Sequence, residues 1–158
     1  MQSDMGTGSE KEIELWIIDI DGTLTRHNDD PNSRGIYDYH RAEEDLPNEP
    51  VIRIVRGLLA LGDQVVFVTG RPESCRKETQ SWINTHVVDW ESDQVEGMYM
   101  RKTGDHSTPD AALKRNIYEK YLNGYYKKIA GVIEDRARVV KMWRDLGLTV
   151  LQTQEGDY

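Results

Sequence analysis

The chain has 158 residues, 37% of them hydrophobic and 30% charged, enough for a core that needs neither a disulfide nor a structural metal. Its 28 acidic and 20 basic side chains leave a formal net charge of -8, which disfavours a protein that grips long nucleic acid by general phosphate neutralisation. A local cluster of arginines on a single strand end stays compatible with that charge. No stretch approaches the roughly 18 apolar residues of a membrane-spanning helix, and the single cysteine, Cys75, excludes an internal disulfide and fits a reducing cytoplasm.

Residues 1–12, MQSDMGTGSEKE, are polar and read as a flexible leader, without the basic start and apolar stretch of a signal peptide, ahead of one domain over 13–158. IELWIID (13–19) predicts a strand buried on both faces. Residues 27–50 are turn-rich and irregular, long enough to be functional. Pro50 marks a helix start, Val51, Ile54, Val55, Leu58 and Leu59 its apolar face, and Gly62 its end. QVVFVTG (64–70) is a second buried strand, followed by a helix from near Pro72 that turns Trp82 and Ile83 inward. VEGMYMR (95–101) is a weaker strand, and 107–122 a helix entered through Ser-Thr-Pro. KIAGVIED (128–135), a helix over 136–147 closed by Gly147, and a strand over 148–153 complete the chain. Strands alternating with helices predict an α/β, Rossmann-like three-layer sandwich around a mostly parallel sheet.

In such sheets ligands bind beyond the carboxyl ends of the strands. The polar residues of the buried runs sit there: Asp19 and Asp21 after the first strand, Thr69 and Arg71 after the second, Glu134 and Asp135 after the fourth. Four carboxylates brought together repel one another unless a cation holds them, and all-oxygen ligands suit a hard ion such as Mg²⁺.

The order DIDGT, VTGR, a helical lysine, then ED after a strand resembles the signature of the haloacid dehalogenase (HAD) superfamily of phosphohydrolases. The resemblance implies Asp19 as nucleophile, Asp21 as general acid and then base, and Mg²⁺ held by Asp19, the main-chain carbonyl of Asp21 and Asp135. Glu134 would act through the ion's water shell. Thr69 would hold phosphate oxygens and Lys114 would offset negative charge, with Lys102 the alternative lysine. The short intervals between motifs imply a small cap.

DIDGTLT, RGIYDYHRAEEDLPNEPV, VVFVTGR, RKTGD with DAALK, and IEDRARVVKMWRDLG through GDY are similar to the 3′-phosphatase domain of the phage polynucleotide kinase/phosphatase family. That similarity implies release of 3′-phosphate, with 2′,3′-cyclic phosphate a second substrate, from DNA or RNA ends in end healing. Arg34, Arg71, Arg101 and Asp110 match residues that support phosphate binding, a task suited to guanidinium forks. The phage enzyme carries Asp-Asp where this chain has Glu134-Asp135. No GxxxxGK[ST] loop occurs, so a kinase domain or ligase would be a partner or a further part of a larger protein.

The alternative is a HAD phosphatase acting on a small phosphate monoester such as a nucleotide. A receiver domain is disfavoured because its phosphoacceptor follows a middle strand, whereas the DxD here leads. A cysteine phosphatase is excluded because Cys75 lacks an arginine six places on. The four histidines show no metal spacing, and Tyr37, Tyr39, Tyr118, Tyr121, Tyr125 and Tyr126 read as packing residues rather than base platforms.

Overall fold

The computed structural model describes residues 13–124 and 128–158. The leader expected over 1–12 and the packing expected of Tyr125 and Tyr126 lie outside the described residues. The elements run β1 (Glu14–Ile18), β2 (Thr25–Arg26), β3 (Leu46–Pro47), α1 (Glu49–Ala60), β4 (Gln64–Pro72), α2 (Arg76–His86), β5 (Val95–Arg101), α3 (Asp110–Ile117), β6 (Lys128–Arg136), α4 (Ala137–Asp145) and β7 (Val150–Gly156). Strand order is β5-β4-β1-β6-β7, and all four pairings in that sheet are parallel. β1 therefore lies at the centre, with β4 on one side and β6 on the other.

Alternation along the central strands divides the core. Ile18, Val65, Phe67 and Ile133 face one side, where they pack with Val51, Ile52 and Val55 of α1 and Trp82 and Ile83 of α2. Leu15, Ile17, Val66, Val68 and Val132 face the other, against Ile117 of α3 and Val139, Val140 and Trp143 of α4. The result is the expected three-layer sandwich. The cap is small: β2 and β3 pair antiparallel, and the loop between them holds a 3₁₀ helix over Tyr39–Glu44.

Several boundaries differ from the sequence reading, each for a local reason. α3 begins at Asp110, after Pro109 in an extended conformation, and passes into a π-helical turn over Tyr118–Leu122. β7 runs on to Gly156 because Arg136 pairs with that residue beyond a register shift. Ile54, expected on the buried face of α1, is 50% exposed, and Ile52 takes its place in the core. The helix enters at Glu49, so the stripe facing the sheet is Val51, Ile52 and Val55.

Replacing Ile52 by Ala should lower unfolding free energy by about 2–5 kcal/mol, the cost of an unfilled core site. Ile54→Ala should change it by less than about 0.5 kcal/mol. Urea denaturation of the two variants measures both, and the reverse ranking would contradict this placement of α1.

Candidate active site

The backbone at the end of β1 sets the site. Asp19 N–H donates to the carbonyl of Ile133 at 3.0 Å, which continues the β1–β6 register one residue past the strand. The chain then turns: the N–H groups of Thr23, Leu24 and Thr25 all donate to the Ile20 carbonyl, at 3.1, 2.9 and 3.1 Å. Gly22 holds φ +76°, and a Cβ there would strike the Asp135 carboxylate. Glycine serves both demands.

Asp19, Glu134 and Asp135 are buried. Each offers a carboxylate oxygen, and those oxygens lie within 4.8 Å of one another. Lys114 Nζ donates to Asp19 Oδ1 at 2.6 Å and to Glu134 Oε2 at 2.8 Å. Lys102, the alternative lysine, is exposed. Burial of Asp19, together with the neighbouring Glu134 and Asp135 charges, pushes its carboxyl well above the usual range despite Lys114. Burial alone would lower the Lys114 ammonium, but Asp19 and Glu134 hold it well above its ordinary value. The second oxygen of Glu134 accepts the N–H groups of Asp135 (3.1 Å) and Arg136 (3.3 Å). Both its oxygens are thus engaged within the protein.

This donor set fits a divalent cation on two counts. One ammonium faces three buried carboxylates, leaving negative charge that burial penalises strongly. Thr23 Oγ1 also lies 2.6 Å from Asp19 Oδ2 and 3.1 Å from Asp135 Oδ1. A hydroxyl has one proton and can donate to only one of these at a time. All-oxygen ligation suits Mg²⁺ or a similar hard ion.

Asp21 points the other way, into a cluster of arginines. Arg71, fully buried at the end of β4, donates from Nε at 3.0 Å and NH2 at 2.7 Å to the two Asp21 oxygens. The same guanidinium reaches Asp45 at 2.5 Å and Thr79 Oγ1 at 3.2 Å. Arg34 forks onto Asp45 at 2.6 and 2.9 Å and approaches Asp21 at 3.5 Å. Desolvation favours the neutral form of Asp21, but Arg71 and Arg34 outweigh it and hold the carboxyl below its ordinary value. Its side chain remains 44% exposed. Thr69 is buried, and its hydroxyl accepts the backbone N–H of Arg71 at 3.2 Å.

Arg101 and Asp110 form a separate group and do not join Arg34 and Arg71. Arg101 donates to the carbonyls of Gly70 (3.0 Å) and Thr108 (2.6 Å) and to Asp110 (2.6 Å). Arg136 takes the other Asp110 oxygen at 2.6 Å. A Cβ on Gly70 would come within 2.7 Å of Asp110, so this ion pair buttresses the last residues of β4, where the register with β5 shifts.

Sequence reasoning missed Asp45, Thr23, Arg136, Gln154 and Tyr158 as members of these networks. Asp45 lies in the RGIYD–DLPNEP block and Thr23 in DIDGT, so both stood inside recognised motifs without a role. Tyr158 OH donates to Asp135 Oδ2. Burial and that carboxylate push the phenol up to about 12. Burial would raise Asp135, but its hydrogen bonds, led by the one from Tyr158, hold it below its ordinary value.

A family model described as the phosphatase domain of polynucleotide kinase PNKP matches residues 13–158. A protein of Autographa californica nuclear polyhedrosis virus, described as a bifunctional polynucleotide kinase/RNA ligase, is 33% identical over 144 residues. That match covers 90% of this chain and 19% of the viral protein, so the chain spans about a fifth of its curated relative's length. A chain of the Pnkp1/Rnl/Hen1 RNA repair complex superimposes with a TM-score of 0.79 at 28% identity, covering 93% of this chain and 44% of that one. D,D-heptose 1.7-bisphosphate phosphatase from B. bronchiseptica shares the fold, with a TM-score of 0.59 at 16% identity over 91% of this chain and 83% of that one. No helix among the described residues is long and apolar enough to cross a membrane.

Removing the ammonium takes away the one opposite charge from two buried carboxylates, although Asp19 keeps the Thr23 hydroxyl and Glu134 its two backbone N–H donors. Lys114→Met should therefore cost about 3–5 kcal/mol of stability in chelator at neutral pH, while Lys102→Met stays within about 0.5 kcal/mol. Chemical denaturation of the two proteins decides it; equal effects would refute the pairing.

Proposed function

The chain belongs to the polynucleotide kinase PNKP phosphatase-domain family, a HAD-type phosphatase, and on that footing we propose that it removes 3′-phosphate from DNA or RNA ends. The single observation that carries the reading is that Asp19 is paired with Lys114 while Asp21, two residues on in the same loop, is paired with Arg71 and Arg34. Nucleophile, charge compensation and phosphate-binding forks then share one crevice.

In the proposed reaction, Asp19 attacks phosphorus in line and the bond from phosphorus to the 3′ oxygen breaks. Asp21 delivers its proton to that oxygen. Asp21 then takes a proton from a water whose oxygen attacks the phosphorus, breaking the bond to Asp19 and freeing inorganic phosphate. Asp19, Asp135 and the main-chain carbonyl of Asp21 would hold Mg²⁺, which would supply Lewis-acid neutralisation of the phosphoryl charge when bound. Glu134 stays in an outer position, fixing Lys114 and the backbone of Asp135 and Arg136.

Asp21 must carry a proton to act as an acid, yet Arg71 and Arg34 favour its ionised form. Transfer of those guanidinium forks to the phosphate oxygens removes that bias and lets burial raise Asp21. The Thr69 hydroxyl and the backbone N–H groups at the end of β4 donate to the remaining phosphate oxygens, with Arg101 and Asp110 bracing that segment.

The small cap favours a polymer end over an enclosed metabolite. Beside Arg34, whose NH1 reaches the Gly35 carbonyl at 3.1 Å, Ile36 and Tyr37 are 73% and 83% exposed. Of the core or surface packing read for Tyr37, its exposure leaves the surface alternative. Its exposure next to the arginine pair instead suits a nucleobase, and aromatic stacking supplies about 1–3 kcal/mol per base. A kinase or a ligase, the activities named for the viral relative, is the partner this reading implies. Cyclic 2′,3′-phosphate is the second substrate to assay.

The test is phosphate release from 3′-phosphorylated DNA and RNA oligonucleotides in Mg²⁺. Asp19→Asn should lower release by roughly a thousand-fold or more, and chelation of Mg²⁺ should abolish it. Tyr37→Ala should raise KM for oligonucleotides by about 5- to 100-fold, the equivalent of one stacked base, and leave turnover of a small phosphate ester unchanged. Release that survives Asp19→Asn would reject the nucleophile. Turnover of small esters alone would reject the polymer substrate.

A further inference from the structure

We propose that Tyr158 and Gln154 are positioning residues that fix the Asp135 carboxylate toward the divalent cation. The inference rests on the cation-dependent reading above. The two oxygens of Asp135 face opposite ways. Oδ1 looks inward, 3.1 Å from the Thr23 hydroxyl that also meets Asp19. Oδ2 looks outward and accepts the Tyr158 hydroxyl.

A collar built from β7 and its tail closes on that outer side. Gln154 Nε2 lies 3.4 Å from Asp135 Oδ2, 2.9 Å from Tyr158 OH and 3.2 Å from the Gly22 carbonyl. Gln152 Nε2 donates to the Asp135 carbonyl at 3.2 Å. Two glycines allow the approach: a Cβ on Gly22 would strike the Asp135 carboxylate, and one on Gly156 the Asp135 carbonyl. The Arg136 guanidinium stands 5.5 Å from the centroid of the Tyr158 ring and steadies it from the side.

A merely structural brace would bury its ring. Tyr158 is 55% exposed, so its ring adds little to the core, while its hydroxyl meets the one carboxylate shared with Asp19 through Thr23. Partners of this kind orient a ligating carboxylate, and losing one typically lowers metal affinity about 10- to 100-fold.

Calorimetric titration of Mg²⁺ into the full chain, freed of metal beforehand, tests the role. Tyr158→Phe should weaken Mg²⁺ binding by about ten-fold, the lower end of that range, in a chain that stays folded at the titration temperature, with its unfolding midpoint in chelator lowered because Asp135 loses its leading hydrogen bond. Gln154→Leu should shift affinity the same way by less. In the phosphate-release assay the deficit of Tyr158→Phe should shrink as Mg²⁺ is raised. Unchanged or tighter binding in Tyr158→Phe would overturn the proposal, tighter binding because the phenol would then be competing with the ion. Mg²⁺ binding by wild type without release from any oligonucleotide would sink the substrate reading, while the affinity comparison would still decide Tyr158.

Discussion

Lys114 Nζ stands between Asp19 and Glu134 at hydrogen-bond distance from both, and the geometry of the whole crevice follows from that contact. It joins α3 to the ends of β1 and β6 in a place water does not reach. Buried charges of one sign are tolerated only where an opposite charge meets them directly. The parallel order β4-β1-β6 makes the contact available, because it lines up three strand ends beside one helix. One ammonium against three carboxylates leaves the balance negative, which is why the pocket is suited to a second, divalent cation.

The arginines form the complementary half. Arg71 and Arg34 converge on Asp45 as well as Asp21, so in the proposed reaction Asp45 would keep both forks aimed into the crevice while one of them exchanges carboxylate for phosphate. Arg101, Asp110 and Arg136 act one step further out. Their interlocked charges hold the end of β4 beyond Thr69, where the proposed mechanism needs backbone N–H groups to stay in place. Arg34 and Arg71 on one side and Arg101 and Arg136 on the other form distinct ion-pair groups, and the proposed reaction would use the first to bind and the second to brace.

Much of this was legible in the residues. The apolar runs that end in Asp19, Thr69 and Glu134-Asp135 marked the strands, and the alternation with helices required a parallel sheet whose carboxyl ends share a crevice. Lys114 was legible only through its place in the motif order, since KRNIYEK otherwise reads as a charged helix face. Other features left no such trace. Two-residue strands such as β2 and β3 are too short to show a period. Asp45, Gln154 and Tyr158 act through contacts between segments far apart in the chain, which spacing cannot reveal. Ile54 misled because one residue of helical phase decides which of two neighbouring isoleucines turns inward.

The proposed reaction turns on Asp19 itself receiving the phosphoryl group. Rapid acid quench after mixing with an oligonucleotide carrying radiolabelled 3′-phosphate, followed by peptide mapping, tests that step directly. Transient label should appear on the peptide containing Asp19 and be absent from Asp19→Asn. Label on another residue, or full turnover with no labelled protein at any time, would contradict it.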